Sequence, residues 1–146
     1  MYTKASLMAL VLAAGFAAAV PAAGKTYQVD KTHSSIGFSV RHLAISNVKG
    51  TFDDYTASFT YDPERPQDWS CEAVIKTASI NTGNGNRDDH LRDPDFFDAT
   101  KHPEITFRSR SIELDETGRG TVTGDLTMRG VTRPVDLVLE LLGVVP

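Results

Sequence analysis

This sequence predicts an all-β chain of antiparallel strands, a barrel or a sandwich, with one short helix or turn set into it. Three observations carry that expectation. Apolar and polar residues alternate with period two through most of the chain. Clusters of Gly, Pro, Asp and Asn interrupt the alternation at short intervals. One run, Arg87 to Asp98, is too rich in charge, Asp and Pro for a strand, yet it carries the adjacent pair Phe96–Phe97.

The strands follow in order. Ile36, Phe38, Val40 and His42 share one face, with Ser35, Gly37, Ser39 and Arg41 on the other. Val48, Gly50 and Phe52 form a second set, and Tyr55, Ala57, Phe59 and Tyr61 a third. Parity shifts between Phe52 and Tyr55, which predicts a tight turn or bulge at Asp53–Asp54. Cys71, Ala73 and Ile75 begin a fourth strand that runs to about Ile80. Ile105, Phe107 and Ser109 begin a fifth; Val122, Gly124, Leu126 and Met128 make a sixth; Val135, Leu137, Leu139 and Leu141 make a seventh. The connections have turn composition: Asp62–Pro66 as a loop, Asp115–Gly118 as a hairpin turn, Arg129–Pro134 as a link, and Asn81–Asn86 as a flexible lead into the charged run.

Strand parity places Phe38, Val40, Phe52, Phe59, Phe107, Leu126 and Met128 on one apolar interior, while Phe96 and Phe97 plug an apolar space from the non-strand segment. Any one of these rings is ordinary core. Together they are lumen walls for a barrel wide enough to hold a ligand. His42 ends its strand on the same face as Phe38 and Val40, where it is either a hydrogen-bonded rim histidine or a polar contact for a head group. Arg41 and Arg92 are placed for the same contact, although solvation suits both.

Catalytic chemistry has little support. His33, His42, His90 and His102 are the four histidines, and no two lie three to five residues apart. His90 has Asp88, Asp89 and Asp93 nearby, but such acids more often cap a short helix and pair with Arg87 and Arg92. There is no Gly-x-Ser-x-Gly elbow and no His-Glu-x-x-His pair, and the Gly83–Asn86 loop lacks the lysine and hydroxyl of a phosphate cradle. The expectation is therefore no catalytic residue, no metal and no cofactor.

Residues 1–22 read as a cleavable secretory signal: Lys4, an apolar Ala-rich stretch from Leu7 to Val20, and small residues at Val20–Pro21–Ala22. Cleavage after Ala23 is the near alternative. The apolar stretch is short for a membrane span, and no Cys lies near the cleavage point to carry a lipid anchor. Residues 23–146 then form one exported domain of ordinary size, with no stable membrane anchor. Losing Lys4 and no acid moves the formal charge from −4 to −5, which argues against nucleic acid and anionic surfaces as partners. Cys71 is the single cysteine, so no intramolecular disulfide forms, and it reads as a small buried hydrophobe.

Several blocks, taken together and in order, resemble the YceI-like family. They are Tyr27–Gln28–Val29–Asp30 with His33–Ser34, Phe38 to Leu43, Val48 to Phe52, Ser79 to Thr82, Arg87–Asp88 with His90–Leu91–Arg92, Asp95 to Asp98, Pro103 to Phe107, and Gly124 to Val135. The resemblance implies an antiparallel lipocalin-like β-barrel with a short helical segment around residues 86–98. It also implies a periplasmic protein whose apolar lumen holds a polyisoprenoid lipid, such as an isoprenoid quinone or its precursor. Family members usually continue beyond Pro146 with two further strands. Without them the barrel is expected to be incompletely closed, and the alternative function is that of a truncated remnant or interaction protein, a homodimer included, associating through open strand edges.

Overall fold

The computed structural model describes residues 24–42 and 46–143, excepting the side chains of residues 42 and 46. The secretory signal expected at residues 1–22 lies outside them. Nine strands and one helix follow in the order β1 Lys25–Gln28, β2 Ile36–His42, β3 Ser46–Phe52, β4 Tyr55–Tyr61, β5 Ser70–Lys76, β6 Ile80–Asn81, α1 Gly85–Arg92, β7 Glu104–Leu114, β8 Arg119–Met128 and β9 Val131–Glu140. Short 3₁₀ turns at Pro66–Asp68 and Thr77–Ser79 flank β5. All ladders are antiparallel. Six strands form one sheet in the order β1-β4-β5-β7-β8-β9, and β2-β3-β6 form a second.

Register explains which side chains point inward. Tyr27 faces Phe59, Phe59 faces Cys71, Ala57 faces Ala73, Ala73 faces Phe107, and Phe107 faces Leu126. Directly opposed residues share a face, so these form one apolar wall. The opposite face is mostly Thr, Ser and charge: Thr26 bonds Thr60 across strands, Thr127 bonds Thr132, and Thr123 donates to Asp136. β7 keeps this division only because its register slips between Ser109 and Ser111. That bulge carries Arg110 to the outer side, where it pairs with Asp125, and lets Ile112 face inward beside Phe107 despite its opposite parity.

Two packed groups fill the interior and meet at Leu126. One joins Phe52, Tyr55, Ile75, Ile80 and Ile105 with Phe38, Leu91 and Phe97. The other joins Phe107, Ile112 and Val122 with Phe59, Trp69 and Leu139. The first group ties the small sheet and the α1 segment over one end of the large sheet. The large sheet does not close: among the described residues β1 and β9 each have a single partner strand.

Four sequence expectations are corrected in detail. The fourth strand stops at Lys76, because the chain passes into the small sheet through Thr77–Ser79 before the two-residue β6. The helix is Gly85–Arg92, and residues 93–98 are turns rather than helix. The link at 129–134 shrinks to Arg129–Gly130, both at positive φ, and Val131 to Pro134 belong to β9, paired with Asp125 to Met128. Pro134 is acceptable there because β9 is an edge strand. Alternation also missed β1. The parity shift at Asp53–Asp54 marks a real corner: the Asp53 amide donates to the Ser79 carbonyl and the Lys76 amide to the Asp54 carbonyl as the chain leaves one sheet for the other.

Candidate functional site

The inner face of the large sheet bounds an open cavity of about 380 Å³. Every strand of that sheet supplies part of the wall. Tyr27 and Val29 come from the β1 end, Ala57 and Phe59 from β4, Cys71 and Ala73 from β5, Phe107 from β7, Val122 from β8, and Leu137 and Leu139 from β9. The two sheet edges therefore stand across the cavity from each other without pairing. Sheet twist and the β7 bulge supply the curvature this needs.

Small residues make the space. Ala57 and Ala73 are cross-strand partners, and Cys71 lies next to them opposite Phe59. Gly124 allows the Phe107 ring to lie flat: a Cβ at that position would sit 2.5 Å from the ring and 2.5 Å from the Arg108 carbonyl oxygen. The polar residues along the wall are Gln28, Ser58 and Glu72. Burial pushes the Cys71 thiol up, with the Ser109 hydroxyl pulling the other way. Ser109 Oγ accepts the Cys71 amide at 2.8 Å, so this hydroxyl is already engaged. Such a wall suits an apolar group, and burial leaves the Cys71 thiol protonated rather than activated.

The expected interior residues divide. Phe52 and Phe107 are buried, and Phe38, Phe59, Phe97 and Leu126 are half-buried in the two packed groups. Phe59 and Phe107 line the cavity, whereas Phe38, Phe52 and Phe97 close its α1 end through ring contacts of 5.7 and 6.0 Å. Val40, Phe96 and Met128 depart from the common interior, at 57%, 46% and 38% exposed. Val40 lies opposite Val48 in the β2–β3 ladder, where its side chain stays exposed. Phe96 sets its edge against the His90 ring at 4.8 Å, outside the cavity. The His42 side chain lies outside the described residues. Sequence reasoning missed Tyr27, Val29, Ala57, Ala73, Val122, Leu137 and Leu139 as wall residues. Ala57 and Ala73 carried a signal in sharing a face with Phe59 and Phe107 but are too small to stand out, while Tyr27, Leu137 and Leu139 come from the two edge strands, whose meeting across the cavity alternation does not reveal.

The charged run is structural. Asn84 caps α1 by accepting the Arg87 amide at 3.1 Å. Asp88 is buried and accepts both the amide and the hydroxyl of Thr82, at 2.9 and 2.6 Å. Arg87 bonds the Thr82 hydroxyl and carbonyl. Arg92 pairs with Asp89 as expected, but it also donates to the carbonyls of Ala78 and Ile80, so it is a clamp on β6 rather than a solvated side chain. Arg129, in the β8–β9 turn, donates to the carbonyls of Pro94 and Phe96. His33 pairs with Asp30, His90 lies 3.9 Å from Asp95, and His102 packs under Gly130. Among the described residues no three His, Cys, Asp or Glu side chains converge on a metal site, and no helix is long and apolar enough to cross a membrane.

Comparison with known proteins gives a consistent result. A family model described as YceI-like domain matches residues 27–145. Protein YceI of Shigella flexneri is 39% identical over 142 residues, covering 96% of this chain and 74% of that protein. The YceI protein of Campylobacter jejuni is 43% identical with a TM-score of 0.65, covering 82% of this chain and 70% of that one. BcnA of Burkholderia cenocepacia is 27% identical with a TM-score of 0.74, covering 80% and 72%. A polyisoprenoid binding domain from Saccharophagus degradans, implicated in plant cell wall breakdown, shares the fold at 17% identity and a TM-score of 0.50, covering 80% and 62%.

Proposed function

This chain belongs to the YceI-like family, and from that premise we propose that its apolar cavity binds the hydrocarbon tail of a polyisoprenoid lipid, an isoprenoid quinone or its precursor, without covalent chemistry. The observation that carries the reading is a 380 Å³ space walled by apolar side chains from all six strands of one sheet. The fold neighbour from Saccharophagus degradans is a polyisoprenoid binding domain, which supports the same ligand class. Burying a methylene yields about 0.8 kcal/mol, so a five-carbon isoprene unit gives roughly 3–4 kcal/mol gross. Micromolar affinity needs about 8 kcal/mol net of association costs. A few buried units supply that with no charged contact, and an acidic protein can therefore hold a neutral tail. On this reading residues 1–22 direct export and are removed, and the domain works in the periplasm. The test is to isolate the protein from a periplasmic fraction, sequence its N-terminus and extract it for lipid mass spectrometry. A start near Ala23 with a stoichiometric isoprenoid supports the reading; an intact Met1, or protein free of lipid after gentle purification, overturns it.

A second reading has its own observation. The Leu141 amide donates to the Gly118 carbonyl at 2.7 Å, so odd-numbered residues of β9 bond to β8 and even-numbered amides face the edge. Val138 lies on that edge at 92% exposed. Edge-to-edge association through β9, as in a homodimer, is the function this would serve. Light scattering at rising concentration tests it: association abolished by Val138→Lys supports it, and a monomer at every concentration removes it.

A further inference from the structure

The loop at residues 81–86 lies away from the cavity and leads into α1 through Asn84–Gly85. Of the four asparagines, only Asn84 precedes a glycine. Asn47 precedes Val48, Asn81 precedes Thr82 and Asn86 precedes Arg87, and those side chains crowd the amide that follows each asparagine. Asn84 and Gly85 are exposed, and a Cβ at Gly83 or Gly85 would meet nothing within 4 Å. The Gly85 amide comes first in α1, so it is one of the donors a helix leaves without an intrahelical partner. The positive end of the helix favours its deprotonated form. A nucleophile and a side-chain amide are thus neighbours, kept apart by one torsion. Asn84 is extended, at φ −140° and ψ 105°, which turns the Gly85 nitrogen away from the Asn84 Cβ, and its side chain is committed to the Arg87 amide.

We propose that Asn84 is a site of spontaneous deamidation whose rate is set by opening of the α1 cap. When Asn84 rotates about its Cα–C bond, the deprotonated Gly85 nitrogen attacks Cγ. The new C–N bond closes a succinimide ring, and the side-chain nitrogen takes up a proton and leaves as ammonia. Water then opens the ring at either carbonyl, giving aspartate or isoaspartate; the net exchange is one water in and one ammonia out. Gly83, at φ +75° with open space around it, lets the chain swing without moving the helix. The two products differ in effect. Aspartate keeps the cap and adds charge at the favoured helix end. Isoaspartate inserts a methylene into the backbone between Thr82 and Asp88, whose contacts at 2.9 and 2.6 Å fasten the start of α1.

The experiment incubates the protein at neutral and mildly alkaline pH, folded or in urea. Each asparagine is followed by peptide mass spectrometry with electron-transfer fragmentation, which separates the two acids. Asn84 should convert ahead of Asn47, Asn81 and Asn86, at a rate that rises with hydroxide. Conversion should be about ten- to a hundredfold slower in the folded protein than in urea, because only the opened fraction reacts. Asp88→Ala, which frees the first turn, should raise the folded rate several-fold; urea below the unfolding transition should do the same and stands in if that variant fails to fold. Gly85→Ala should suppress conversion in both states. Amide exchange in α1 should quicken in the isoaspartate protein and stay unchanged in Asn84→Asp. Another asparagine converting first, equal rates folded and unfolded, no conversion in the folded protein, or a folded rate indifferent to both loosened conditions overturns the proposal.

Discussion

Phe107 and Val40 show what one residue can and cannot reveal from sequence. Both alternate on an apolar face, yet Phe107 is 8% exposed and Val40 57%. Phe107→Ala should cost about 3–5 kcal/mol, as large-to-small changes in packed cores do. Val40→Ala, and Thr106→Asp on the outer face, should stay within about 0.5 kcal/mol. Urea unfolding of the three variants checks the contrast, and a Val40→Ala loss matching Phe107→Ala would show that the hairpin is covered in solution. Parity reads the direction of a side chain; it is silent on whether anything lies across from it, and this is why Val40 and Met128 were misplaced while Phe52 and Phe107 were not. Asp115 gives a titration test. The Thr117 hydroxyl, the Arg119 amide and the Thr117 amide all donate to its carboxylate, at 2.6, 3.1 and 2.8 Å, and hold it below the ordinary carboxylate range. A folded value below the unfolded one means stabilisation that is complete above the unfolded value and lost as pH falls through the folded one. The amide resonances of Thr117 and Arg119 should therefore shift only in the acid limb below that of a free Asp. A midpoint at the ordinary carboxylate value would contradict the hydrogen-bond assignment.

At the scale of elements, the charged run is the instructive case. Its Asp and Arg content predicted helix caps and ion pairs, and Asn84 and the Asp89–Arg92 pair fit that expectation. The burial of Asp88 and the reach of Arg92 to the Ala78 and Ile80 carbonyls could not be read, because both depend on where the crossing between sheets passes under the helix. Removing Arg92 leaves those carbonyls without their donor, so Arg92→Ala should destabilise by about 1–3 kcal/mol, with Arg92→Lys recovering only part. Hydrogen exchange should show faster opening of β6 and α1 with the β7–β8 hairpin unchanged; uniform loss across the molecule would mean that Arg92 acts on the whole fold instead. The bulge at Ser109–Ser111 was equally illegible. It changes the parity of one strand midway, and only the fixed positions of Val122 and Gly124 across from it reveal the slip.

At the scale of the molecule, the strand content, the corner at Asp53–Asp54 and the all-antiparallel pairing were legible, since each rests on local alternation and turn chemistry. Partner order was not, because alternation does not say that β4 joins β1 while β3 joins β6. The cavity is a property of that order: it exists because the six strands curl until Tyr27 and Leu137 face the same space. Leu137 is an apolar wall residue at 46% exposed, and a hydrocarbon tail would remove that surface from water. The most direct measurement is the set of intermolecular NOEs between a short prenyl alcohol and the methyl groups of the protein. The account predicts contacts from the prenyl methyls to Ala57, Ala73, Leu137 and Leu139, and none to Thr106 or Val74 on the outer face. NOEs confined to the outer face or to the β2–β3 hairpin, or saturable binding with no contact to Ala57 and Ala73, would contradict it.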